Sequence, residues 1–390
     1  MIAIIGGGIF GVTAALELRR RGRDVTLIDP GPLPHPLAES TDISKVVRAD
    51  YGADEEYTAR MEIALDGWRR WNAMWPEPLF HETGVLFVCR AAMARGGFEH
   101  ESFSLLTRRG HRLERVDAAA IAARFPAWKT GAFVDGYFNP SGGFAESGKV
   151  VARLLADAKD AGVVLRGSCR VERLAENGSR VGGVVIEGEE IVRAEHVVLA
   201  AGSWSQHLVP SLASQLRSVG QPVFHLAPRD RAPFDASRFP VFGADIARTG
   251  YYGFPVTPDG VVKIANHGTG RAMHPDSSER VVTAEETATL RAFLRDTFPA
   301  LADAEIAATR VCVYGDTHDE HFLIAPDPDR AGLVVAAGGS GHGFKFAPIL
   351  GGIVADAVEG NVIPKFRWRP PLAEARAVRG EEAARHHGSD

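Results

Sequence analysis

The first apolar run of the chain, Ile2–Ile5, is short, unbroken and rich in isoleucine, the pattern of a strand buried on both faces. A glycine turn, Gly6-Gly7-Gly8-Ile9-Phe10-Gly11, follows at once. Residues 12–18 continue as a helix, and Arg19 to Arg21 place positive charge at its C-terminal end. Val25–Ile28 is a second apolar strand and runs into Asp29. Further along, the periodicity predicts a helix over residues 54–75, with Trp68, Trp71 and Trp75 on one core-facing stripe, and a strand over residues 80–88. It predicts a short helix over residues 118–125, ended by Pro126, and a longer one over residues 146–161, stopped by Gly162. A strand at residues 163–165, a hairpin at Asn177-Gly178 and a buried strand ending at Gly202 come next. Residues 221–310 are richer in strand and turn signals. A last buried strand, residues 332–337, leads through Gly338-Gly339-Ser340-Gly341-His342-Gly343-Phe344-Lys345-Phe346 into a helix over Ala347–Val358.

Strand, glycine turn, helix, strand and acid within one unit form a dinucleotide grip. Gly6 permits the tight turn, Gly8 lets a pyrophosphate approach the backbone, Gly11 lets helix pack on strand, and Asp29 can bind ribose hydroxyls. A nicotinamide enzyme needs only this first loop. The second glycine loop, with a histidine and a lysine, suits a flavin whose ring is held for the life of the protein, and the helix after Phe346 can aim its positive end at the N1–O2 edge of that ring. The expected fold class is α/β. A Rossmann-type FAD-binding domain, discontinuous in sequence, takes residues 1–79, 142–220 and 311–370. A second, α+β substrate domain on a mostly antiparallel sheet takes residues 80–141 and 221–310. Residues 371–390 read as a flexible tail.

Composition narrows the class. At 390 residues two domains are the natural expectation, and a net charge of −5 leaves no electrostatic footprint for nucleic acid. No apolar run reaches the length of a membrane span, and a glycine loop starting at Gly6 leaves no room for a signal peptide ahead of it. The three cysteines, Cys89, Cys169 and Cys312, are scattered and odd in number. They suggest a reducing, cytoplasmic setting and lack metal-ligand spacing, so no metal is expected.

The ordered pieces GGGIFG, SKVVRADYG, FHETGVLFV, VVLAAGSWS, YYGFP, VKIANHG, CVYGDTHDEHF and GGSGHGFKF resemble the FAD-dependent amine oxidases of the monomeric sarcosine oxidase group, within the D-amino-acid oxidase superfamily. The resemblance runs over nearly the whole chain. It implies that Cys312 carries FAD through a thioether. It implies that Arg48 and Lys345 bind a substrate carboxylate and that Lys263 activates oxygen. His267 and His342 align with two active-site histidines, and Tyr252 with an active-site tyrosine. Gly341, His342 and Gly343 border the flavin. Lys45 stands beside the cofactor where sarcosine oxidases have arginine, and there the segment Thr41-Asp42-Ile43-Ser44-Lys45 looks more like enzymes that oxidise sugar-derived amines. Gly315 replaces a threonine common in the family.

These roles make physical sense. A carboxylate entering a dry pocket needs fixed positive charge, and hydride leaves a carbon beside nitrogen only when the amine is unprotonated. Lys263 lies in an alternating strand that also allows it to point outward. The expected partners are a small amine carrying a carboxylate and molecular oxygen, with hydrogen peroxide as product. No nucleic acid or membrane is expected, and the chain should be a monomer or small homo-oligomer. A cyclic imino acid, an Amadori amino acid, or a dehydrogenase with another acceptor are the neighbouring readings. A flavin-bound sensor and an NAD enzyme are more distant ones.

Overall fold

Ile2–Ile5 (β1) is buried along its whole length and forms the middle of a parallel sheet in the computed structural model, which describes residues 1–370. The expected tail at residues 371–390 lies outside the described residues. On one side β1 pairs with Val25–Ile28 (β2), Ile2 opposite Val25, and on the other with His196–Leu199, Ile2 opposite His196. The full order is Leu323–Pro326, Leu333–Ala337, His196–Leu199, β1, β2, Val164–Arg166, with the first of these antiparallel. The strands thus come from the start, middle and end of the chain. Helices, among them Ile9–Arg20 and Ala347–Val358, cover one face, and a three-stranded antiparallel sheet, Val171–Asn177, Arg180–Ile186 and Glu190–Arg193, covers the other, so the central strands are apolar on both sides.

Helix Ile9–Arg20 (α1) leaves the glycine turn and packs against Ala347–Val358. A side chain at Gly351 would place its Cβ 2.3 Å from the Thr13 carbonyl, so the two helices cross backbone to backbone. The Trp stripe of Glu55–Met74 (α2) is core as read, with Trp68 and Trp75 buried and Trp71 packed at the edge.

A second, larger sheet is mostly antiparallel, the α+β architecture expected. Its longest strands, Leu216–Ala227 and Glu305–Thr317, pair from Leu216 opposite Thr317 to Ala227 opposite Glu305. This ribbon runs without interruption through positions 220–221 and 310–311. Val262–Asn266, Tyr251–Val256, Val241–Ala244 and Val85–Cys89 continue the sheet from it.

Several expectations need correcting. The single strand over residues 80–88 is two, Phe80–His81 and Val85–Cys89, in different sheets. Gly84, with φ of 77°, turns the chain between them at the end of the polar stretch His81-Glu82-Thr83, which interrupts the apolar pattern. The central residues of the hairpin are Gly178 and Ser179, because Asn177 pairs with Arg180. Helices Phe98–Arg108 and Ala284–Thr297 went unread, the second inside the strand-rich region. It is signalled by Thr283, which accepts from the Glu286 N–H while the Glu286 carboxylate accepts from the Thr283 N–H. Lys45–Arg48 (β3) pairs with Gly142–Ala145 and carries two site residues between the sheets.

Candidate active site

The glycine turn is built as the sequence requires. Gly6 has φ of 104°, and a Cβ on Gly11 would stand 1.9 Å from the Gly6 carbonyl. Gly8 is the N-cap of α1, with no side chain of its own to cap the helix and no acid in the first turn, and Ser40 Oγ accepts from the Ile9 N–H at 2.9 Å. Asp29 is buried at the end of β2. Its two oxygens accept from the Gly7 N–H at 2.8 Å and the Gly31 N–H at 2.9 Å. Burial raises its carboxyl, and those two N–H groups oppose the rise.

This turn floors an elongated cavity of about 920 Å³. Gly6, Gly8 and Asp29 line one stretch of it, and Gly339, Gly341 and Gly343 of the second glycine loop another. The site fits an FAD. It offers a side-chain-free cradle at a helix N-terminus for pyrophosphate, and an acid beyond it for ribose. One detail differs from expectation. The first turn of Ala347–Val358 does not reach the cavity, because the 3-10 turn Gly343–Phe346 comes before it and supplies the wall.

A second cavity, of about 620 Å³, shares Lys45, Gly341 and Phe344 with the first. Arg48, Lys345, His267, His342 and Tyr252 line it, and the rest of its wall is apolar, including Val85, Phe87, Val241, Phe242 and Ile246. Arg48 reaches it from β3. Its guanidinium lies 5.4 to 5.5 Å from the ring centres of Tyr51, Phe87 and Phe98, and its buried Nη1 has no hydrogen-bond partner. Lys345 is buried in the same wall, and Trp68 Nε1–H fixes its backbone by donating to its carbonyl at 2.7 Å. Burial, and then the charge of Arg48, hold the Lys345 amine well below the ordinary lysine range.

His342 lines this second cavity rather than the first. Its Nε2–H donates to the Glu320 carbonyl at 2.8 Å, which leaves Nδ1 as the acceptor for the Tyr51 hydroxyl at 3.0 Å. Lys345 Nζ donates to the same hydroxyl at 3.3 Å. Tyr51 therefore links two site residues, a role that a tyrosine inside SKVVRADYG did not announce. The His267 N–H donates to the Gly250 carbonyl at 2.7 Å, and its ring faces Tyr314. Burial raises the Tyr252 hydroxyl, and the nearby Lys45 ammonium opposes this.

Cys312 and Lys263 are both buried, and neither contributes to a cavity wall; Lys45, which does, lies with its Nζ 3.5 Å from Cys312 Sγ. Lys263 points inward, not outward. Its Nζ donates to Asp42 Oδ2 at 2.7 Å and to the Ser44 carbonyl, and sits 4.6 Å from the Phe254 ring centre. Burial pushes Lys263 down to about 8, and Asp42 opposes that fall. For Lys45 burial acts downward too, but the Cys312 sulfur and the Asp42 carboxylate outweigh it and the net shift is upward. Asp42 itself went unread as a site residue. Its only sequence signal was its place in the departing segment before Lys45.

The model of the family described as FAD dependent oxidoreductase matches residues 1–357. An N-methyl-L-tryptophan oxidase of Salmonella arizonae is 31% identical over 360 residues, covering 91% of this chain and 93% of that one. One of the same name from Citrobacter koseri is 29% identical over 375 residues, covering 95% and 97%. Among solved structures, the deglycating fructosamine oxidase of Aspergillus fumigatus (Amadoriase II) aligns with a TM-score of 0.81 at 26% identity, covering 94% of this chain and 87% of that one. A modified fructosyl peptide oxidase of Aspergillus nidulans, at 23% identity and a TM-score of 0.83, shares the fold.

Proposed function

Because the chain belongs to the FAD dependent oxidoreductase family, we propose that it oxidises a secondary amine, an N-alkyl amino acid with an apolar side chain, using oxygen as acceptor. The observation that carries this reading is the second cavity. Arg48, half-buried with an unbonded buried Nη1, and the buried Lys345 stand in an otherwise largely apolar wall, and that cavity meets the first at Lys45, Gly341 and Phe344.

Arg48 has an unpaired N–H group to give a carboxylate, and the aromatic rings around it hold its plane. Lys345, pushed low while the site is dry, regains a reason to be charged when a carboxylate arrives. Binding of a zwitterionic amino acid therefore draws a proton onto Nζ, and the surrounding positive groups favour the neutral amine that must react. Val85, Phe87, Val241, Phe242 and Ile246 exclude water and receive the side chain. Bound FAD supplies the two-electron acceptor for a carbon beside nitrogen, and passes the electrons to oxygen as hydrogen peroxide. The imine leaves the site and hydrolyses to an aldehyde and an amino acid. Lys263 and Lys45 provide positive charge where oxygen is reduced. Cys312, beside Lys45, is the attachment point for the cofactor.

The fructosamine oxidase likeness and Lys45 give weight to a second reading, an Amadori amino acid. Against it, no Asp or Glu is among the described residues that line the second cavity, and sugar hydroxyls need such acceptors. A substrate panel decides. N-methyl amino acids with large apolar side chains should bleach the flavin and release peroxide at kcat/KM about tenfold or more above fructosyl amino acids and proline. The reverse order sinks the reading, and bleaching without peroxide in air points to another acceptor. Acid precipitation tests the linkage. Yellow colour should stay in the pellet and be released in Cys312→Ala, while yellow in the wild-type supernatant refutes attachment.

A further inference from the structure

Asp42 is the carboxylate, among the described residues, in a buried cluster that holds Lys263, Lys45 and His225. Lys263 Nζ is 2.7 Å away, with side chains 1% and 2% exposed, His225 Nε2 is 3.6 Å away and Lys45 Nζ 4.0 Å. Arg310, on the strand that carries Cys312, donates to the carbonyls of Thr41 and Ala38 and so ties down the segment that holds Asp42. Cys312 Sγ and Tyr252, whose hydroxyl feels Asp42, complete the surroundings. Lys45, His225, Tyr252, Lys263 and the Arg310–Cys312 pair sit on five different strands, Asp42 lies in the bend ahead of β3, and among the described residues it is the carboxylate at hydrogen-bond distance from Lys263.

We propose that Asp42 is a positioning residue for the oxygen-reducing half of the reaction, holding Lys263 charged and immobile behind the junction of the two cavities. This rests on the reading of Lys263 as the residue that assists oxygen. An ammonium with no water to solvate it stays protonated only if an anion and acceptors take its N–H groups. Asp42 and the Ser44 carbonyl take two of the three, and the third faces the Phe254 ring. Burial would raise the Asp42 carboxyl, but Lys263, His225, Lys45 and Arg310 together keep it well below the usual carboxylate range. The anion is therefore permanent across the working pH, and Lys263, down at about 8, is the member of the pair that titrates first as pH rises.

The test uses the FAD-loaded protein, wild type and Asp42→Asn, Asp42→Glu, Lys263→Met and the Asp42→Asn/Lys263→Met double variant. Two quantities are read from pH 6 to 10.5. One is the rate at which the photoreduced cofactor is reoxidised by air, which needs no amine substrate. The other is unfolding stability in denaturant. Lys263 binds fewer protons folded than unfolded between about 8 and its ordinary value, so wild-type stability should gain a rising component with pH across that window, absent in Lys263→Met. In Asp42→Asn both the loss of reoxidation rate and the rise in stability should begin at least one pH unit lower. Reoxidation at pH 8 should then be slowed roughly fivefold or more. Asp42→Glu should restore part of the shift. The double variant should be no slower than Lys263→Met alone, because Asp42 acts only through that lysine. If Lys263→Met is slow but Asp42→Asn overlays wild type in both readouts, this inference falls and the oxygen reading stands. If Lys263→Met reoxidises at the wild-type rate, the oxygen reading falls and takes this inference with it. If Asp42→Asn is too unstable to load FAD, the double variant, which buries no lone charge, decides: slower reoxidation than Lys263→Met refutes the proposal, equal rates support it.

Discussion

Arg48 and Lys345 are visible in the sequence as cations in an apolar setting, but what they do depends on what leaves them short of partners. Arg48 keeps a buried nitrogen unbonded, at a cost that only a ligand can repay. Arg48→Lys keeps the charge and loses the planar fork, so the Kd of a carboxylate inhibitor should rise about 10- to 100-fold with the visible spectrum of the bound cofactor unchanged. Lys345 is aimed by Tyr51, which is in turn aimed by His342 and the Glu320 carbonyl. Tyr51→Phe removes the shared hydroxyl and leaves the lysine and the histidine each without that bond. Steady-state turnover over a range of amine concentrations should show a KM for amine raised about 5- to 30-fold, with a smaller change in the limiting rate. An unchanged KM would mean that Lys345 finds its place without help.

At the scale of elements, the glycine turn before α1 is the part of the fold least able to change. Gly11→Ala would press a methyl into the Gly6 carbonyl at 1.9 Å, backbone against backbone with nothing flexible to yield. The α1–β1 unit must then separate, and FAD content of the purified protein should fall to near zero. By contrast, Thr283→Ala removes only the cap of Ala284–Thr297 on the outer side of the second sheet. It should cost about 1 kcal/mol in denaturant unfolding and leave FAD content and turnover alone. The contrast separates an element that builds the site from one that supports the sheet behind it. β3 shows the same point differently. Four residues, Lys45–Arg48, put Lys45 at the meeting point of the cavities and Arg48 into the second, because the small sheet that holds β3 lies between the two large ones.

Over the whole molecule, no helix among the described residues is long and apolar enough to cross a membrane, strands of the parallel sheet line the first cavity, and strands of the second sheet line the second. The parallel sheet was legible because its strands are unbroken apolar runs ending in glycine or acid, a local pattern with a local cause. The second sheet was legible only as a region. Helices Phe98–Arg108 and Ala284–Thr297 have weak apolar stripes between polar faces, and the split of residues 80–88 between sheets is marked locally by no more than the short polar stretch His81-Glu82-Thr83 and Gly84. Strands Leu216–Ala227 and Glu305–Thr317 pair across the whole of residues 228–304, and no short window of sequence contains such a pairing.

The sequence by itself determined the grip on a dinucleotide, since backbone torsion at Gly6 and close packing at Gly11 depend on neighbours a few residues away. It also named the lysines, arginine and histidines on which the proposed function rests. Tertiary structure decided where they face. It brought Arg48 and Lys345 into one wall from positions nearly three hundred apart, turned Lys263 inward, and set Asp42 against it from the bend ahead of β3. Charge in a dry interior is governed by whatever lies within a few ångströms, and those neighbours are distant in sequence, so their pairing is fixed only when the sheets close on one another.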